Sequence, residues 1–182
     1  MIQQGRDPVT RAERPEKRGH HTIREGIIAG IVGASSVAIW FFVLDAIQAR
    51  LLFTPAALGS SFLFGARNTS DVQITAATVL GYTLVHGAVF VAIGLLAARL
   101  IHAAQKRPII LLGMILLFVT LEVFFVGLMA IIASWLIDAL SWWTIAIANL
   151  IAGVSMGIYL LRTHPRLRQQ LRRPLEDEEA QA

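Results

Sequence analysis

The chain contains no cysteine. Disulfides, thiolate metal sites, iron–sulfur clusters and cysteine nucleophiles are therefore excluded, while the redox compartment stays open. Charge is scarce too: Asp, Glu, Lys and Arg make up 15% of 182 residues, against roughly a quarter in soluble domains. H-E-x-x-H, a P-loop, G-x-S-x-G and paired-carboxylate motifs are all missing, so no enzyme is expected. What is abundant is apolar, 55% of the residues. That balance belongs to a membrane protein, and a chain this short holds one bundle.

Four long apolar stretches are bracketed by charges: Glu25 to Asp45, Asp71 to Arg99, Arg107 to Asp138, and Asp138 to Arg162. About 20 apolar residues at ~1.5 Å each cross a bilayer, and all four stretches qualify. The expected fold is all-α, with four transmembrane helices at 26–47, 72–98, 108–137 and 141–161. Together they form a transmembrane domain over 23–162. A polar basic tail precedes it over 1–22, with Pro8 and Pro15 and no apolar period, expected to lack order unless a partner holds it. A second tail covers 163–182, where Leu167 and Leu171 suggest a brief interfacial helix. The first stretch is too long for a signal peptide and no small-x-small cleavage site follows it, so it is expected to be retained.

Lys and Arg set the orientation. Fourteen fall in 6–24, 99–107 and 162–173, and only Arg50 and Arg67 lie on the other side. By the positive-inside rule both termini face the cytoplasm. The same distribution argues against nucleic acid, because basic residues flanking membrane helices are explained by orientation and anionic lipid.

On the outer side, the loop 48–71 carries "TPAALGSSFLFG". Thr54 is expected to cap a short interfacial helix with Pro55 at its first position. Leu58, Phe62 and Leu63 then face lipid or protein, as a plug on the bundle or a docking segment for a partner. Trp135, Trp142 and Trp143 are expected to anchor the outer interface.

Each helix centre carries a polar residue. The midpoints between bracketing charges fall at Ser35 (beside Ser36), near His86, at Glu122 and near Asn149. A carboxylate at a helix centre costs about 2.5–3.5 kcal/mol on insertion scales, so Glu122 needs partners. His86 lies at matching depth on the neighbouring helix, and Asn149, Ser35 and Ser36 could complete an intramembrane polar cluster. Interhelical glue is the first reading, with a proton or ion relay second. Small-residue seams, Gly26, Gly30 and Ala34 in the first helix and Gly153 and Gly157 in the fourth, favour packing.

Pigment ligation by His86 is a weaker option, since haem would want a second histidine at that depth. The remaining histidines, His20, His21, His102 and His164, fall at the cytoplasmic boundary. They could converge on a metal, but unpatterned interface histidines usually bind nothing, and no metal is assigned. Bound lipid is the only cofactor expected.

The stretch "GIIAGIVGASSVAIWFFVLDAIQARLLFTPAALGSSFLFG", Gly26 to Gly65, resembles a group of small uncharacterised bacterial four-helix membrane proteins. They share a glycine-rich first helix and an outer "TPxxLG"-like segment. The resemblance implies four helices in a bacterial inner membrane and carries over no activity.

The expected function is thus a non-catalytic integral subunit that packs within a larger bacterial membrane complex, photosynthetic or respiratory. Lipid and other integral subunits are its partners. The alternative is a small proton-coupled carrier or channel using Glu122 and His86.

Overall fold

Within lipid only a helix satisfies all the backbone groups of an open chain segment, and long apolar runs without proline take that form here. The structure, a computed structural model, describes residues 9–105, 109–132 and 134–165. Every regular element among them is helical: α1 (Val9–Ile47), α2 (Phe53–Phe64), a 3-10 turn (Thr69–Asp71), α3 (Ala76–Ala104), α4 (Ile109–Ile132), α5 (Ser134–Leu140) and α6 (Trp142–Thr163). Three helical segments are long and apolar enough to cross a membrane, His21–Ile47, Ala76–Ala104 and Trp142–Thr163. In α4 a shorter stretch, Leu112–Phe124, is also apolar.

The first helix starts at Val9 rather than near residue 26, which corrects the expectation of an irregular N-terminal tail. Extending a helix that is already formed avoids the cost of nucleation. Half of 9–22 is Arg, Ala, Glu and Lys, which propagate helix well. The expected interfacial helix of the C-terminal tail lies outside the described residues.

Local chemistry sets the other boundaries. Thr75 and Thr78 form a reciprocal capping box at the start of α3, so the helix begins at Ala76 and not at 72. The α5–α6 corner turns on Ser141, at φ 62°. Pro165 disfavours helical geometry at the residue before it, and His164 accordingly leaves α6 at φ −121°, ψ 70°.

α1 and α3 form the most extensive helix pair, followed by α1 with α6 and α2 with α3. Among the described residues three buried clusters form the core. Phe53, Ala57, Leu58, Leu136, Leu140 and Ile145 pack together, Ala29, Ala98, Ile101, Ala104, Met156 and Leu160 form a second cluster, and Val37, Ala148 and Ala152 a third.

Candidate functional site

The polar residues expected at mid-depth separate into two groups. Nδ2 of Asn149 donates to Oε2 of Glu122 at 2.6 Å, joining α6 to α4. The other oxygen, Oε1, is buried without a hydrogen-bond partner. His86 belongs elsewhere. Its Nε2 lies 3.3 Å from the Ala34 carbonyl and its Nδ1 lies 3.4 Å from the Tyr82 hydroxyl. The Tyr82 and Phe90 rings flank it, with centroids at 5.4 and 4.7 Å. His86 therefore ties α3 to α1, and Glu122 ties α4 to α6. The serines join neither group: Ser36 donates back to the Val32 carbonyl at 2.8 Å, a local bond that satisfies the hydroxyl, and Ser35 is exposed.

Glycines bring two backbones together at one crossing. A Cβ on Gly30 would meet Val91 Cα at 2.6 Å, and one on Gly26 would meet Leu95 Cα at the same distance. Gly94 faces the backbone of both glycines from α3. Three glycines thus let the α1 and α3 backbones touch, as expected where lipid removes any hydrophobic drive between helices. Gly33, which the sequence reading passed over, accommodates Met156 and Phe90. On α6, Gly153 faces the Phe118 ring at 3.0 Å, whereas Gly157 has open space around it. Spacing alone could not separate these two.

At the start of α2 the expected Thr54 cap is corrected. The helix starts two residues earlier, at Phe53 rather than Pro55, and its cap position is Leu52 in left-handed geometry without a side-chain bond. Thr54 is a donor instead: its N–H and hydroxyl both bond to the Asp45 carboxylate, at 2.7 and 2.8 Å. A carboxylate outcompetes a hydroxyl at a helix N-terminus because it also meets the positive end of the dipole. Pro55 still occupies the first turn, where its missing N–H costs nothing. Leu58 faces the core, while Phe62 and Leu63 are exposed at 48% and 45%. Trp135 donates to the Ala66 carbonyl at 3.2 Å, and Trp142 and Trp143 are exposed.

Where the C-terminal ends of α3 and α6 meet α1 lies an arrangement that charge bracketing hid, because Glu25 served there only as a boundary mark. Glu25 is 4% exposed and His164 5% exposed. His164 Nε2 lies 3.1 Å from His102 Nδ1 and 3.7 Å from Glu25 Oε2. His21 Nδ1 lies 3.3 Å from Glu25 Oε1. Neither carboxylate oxygen of Glu25 accepts a hydrogen bond. One ligand-type atom from each of Glu25, His102 and His164 lies within 4.8 Å of the others. Of the four histidines expected at this boundary, the structure brings three, His21, His102 and His164, around one buried carboxylate; the side chain of His20 lies outside the described residues.

Compared with known proteins, the chain matches no family model, no curated protein and no solved structure.

Proposed function

We propose that the chain is a non-catalytic integral membrane subunit that packs within and stabilises a larger bacterial membrane complex of the photosynthetic or respiratory kind. In this reading α4 is a fourth span: its 24 residues cover about 36 Å, enough for a hydrocarbon core of ~30 Å. The distribution of Lys and Arg puts both termini on the cytoplasmic side of the inner membrane, α2 on the outer interface, and lipid around the bundle.

One observation carries the reading. α2 is too short to span, yet its C-terminal end exposes Phe62, Leu63 and Phe64 side by side, at 48, 45 and 66%. Contiguous apolar surface beyond the spans marks an interaction site. Each membrane-length helix also leaves most of its apolar stretch unburied within the chain, only 17% of the residues being buried in that of α3. His86 supports packing over pigment, since both ring nitrogens already face partners.

The test is the tagged chain solubilised from native membranes in mild detergent. It is expected to migrate with stoichiometric integral partners, and Phe62→Ser with Leu63→Ser is expected to release them. A chain that migrates alone before substitution overturns the reading.

The carrier alternative draws on the unpartnered Oε1 of Glu122, although the contacts of His86 and Glu122 join each to other residues. It requires Glu122→Gln to abolish pH-driven proton flux in liposomes. The packing reading expects no flux before or after that substitution.

A further inference from the structure

His102 and His164 come from the last turn of α3 and the end of α6, and Glu25 from the inner part of α1. Nothing local in the sequence joins them. Yet their ligand atoms converge, and the geometry has three features of a metal centre.

The first is spacing. Two nitrogens bound at about 2.05 Å to one ion lie roughly 2.9 Å apart at a right angle and about 3.3 Å apart at a tetrahedral one. His164 Nε2 and His102 Nδ1 lie 3.1 Å apart, and Glu25 Oε2 is 3.7 Å from the first of them.

The second is orientation. His164 Nδ1 is 2.9 Å from the Leu160 carbonyl. A carbonyl only accepts, so Nδ1 donates, and in the neutral ring Nε2 carries the lone pair toward the cluster. His102 Nε2 is 3.3 Å from the Thr22 hydroxyl, which can receive its proton and leave Nδ1 free to ligate. A ligating histidine ordinarily donates its other N–H to such a partner, which fixes its tautomer.

The third is the carboxylate. Both oxygens of Glu25 are buried and accept no hydrogen bond, and a buried carboxylate without a donor is costly. Imidazoles that point lone pairs at it make the cost worse. A cation between them removes both problems.

We propose that Glu25, His102 and His164 bind one divalent first-row transition-metal ion, of which zinc suits the donor set best. Each residue supplies one ligand atom, and water or an incoming ligand takes a fourth position. Both imidazoles enter as the neutral tautomers fixed by Leu160 and Thr22, so the ion meets two lone pairs and one carboxylate. His21, 69% exposed at its side chain, meets the other carboxylate oxygen and acts as a positioning residue for Glu25. The ion then cross-links the inner ends of α1, α3 and α6. This inference is independent of the subunit reading above.

The experiment uses the full chain in detergent, stripped with chelator and titrated with Zn²⁺ alone. One equivalent is expected to bind with a rise in thermal midpoint, and Co²⁺ in its place is expected to give the visible absorption of a four- or five-coordinate ion. Glu25→Gln, His102→Ala and His164→Ala are each expected to weaken zinc binding by at least about 10–100-fold. Glu25→Gln is nearly isosteric, so it decides the question even if a histidine variant fails to fold. Substoichiometric binding by the unsubstituted chain, or equal affinity in Glu25→Gln, overturns the proposal.

Discussion

Asp45 and Glu25 stand on one helix and are both almost inaccessible, at 1% and 4% exposure, but their surroundings differ in kind. Asp45 receives two short hydrogen bonds from a residue nine positions along the chain. Glu25 receives none and faces imidazoles from the far ends of two other helices. A threonine hydroxyl and a backbone N–H can be donors to a carboxylate without help. Imidazoles offer lone pairs as readily as protons, and the His164 nitrogen nearest Glu25 is a lone pair once its Nδ1 donates to Leu160. The Asp45 joint is complete within the chain, and the Glu25 joint gains most from an added ion.

The largest expected effect breaks the finished joint. Asp45→Ala strands the Thr54 N–H and hydroxyl in a buried place. It also releases a turn that holds Ala49 and Leu52 in left-handed geometry, at φ 53° and 64°. Two bonds to a charged acceptor contribute about 1.5–3 kcal/mol each, so a loss of about 3 kcal/mol is expected. Equilibrium unfolding in mixed micelles measures it, and a loss below about 1 kcal/mol removes the contrast between the two ends.

Next in size is the seam that holds the two ends in register. Gly30→Ala drives a Cβ to within 2.6 Å of Val91 Cα, a backbone atom that cannot rotate away. A cost of about 1–3 kcal/mol is expected from overpacking. Gly157→Ala, with nothing within 4 Å, is the matched control and is expected to be neutral or slightly stabilising. If both substitutions behave alike, the backbone contact between α1 and α3 is not what sets the bundle's geometry.

How much of this was legible from residues alone depends on the range of the interaction. Hydrophobic length is a local property, and the helices expected around Ala34, His86 and Asn149 are there. So is the short helix begun near Thr54, because proline and threonine act within one turn. Which polar residues meet was harder. Depth along a helix is set by counting, but rotation about its axis is not, and His86 and Glu122 share a depth while facing different neighbours. Ser36 illustrates the same gap, since an i−4 carbonyl competes with any partner across the bundle. Glu25 was missed for another reason: a charge at a helix end reads as a boundary mark, and only three-dimensional packing shows it to be buried. Counting puts these histidines at neighbouring helix ends, but no sequence spacing ties His102 to His164.

The smallest expected effect is the sharpest test of the contrast. In the metal-free chain Glu25→Gln removes a carboxylate that accepts no hydrogen bond, so little native stabilisation is lost. The amide of glutamine brings donors that the surrounding imidazole lone pairs can accept. Replacing an unsatisfied buried group by one that can be satisfied is close to neutral or favourable, and a change within about 0.5 kcal/mol is expected. With zinc present the order reverses, because the unsubstituted chain gains the binding energy of the ion and the variant forgoes most of it. Unfolding of both proteins with chelator and with Zn²⁺ separates the cases. A large loss with chelator present makes Glu25 a structural carboxylate like Asp45, held by its imidazoles directly. A loss that appears only with zinc makes it a ligand.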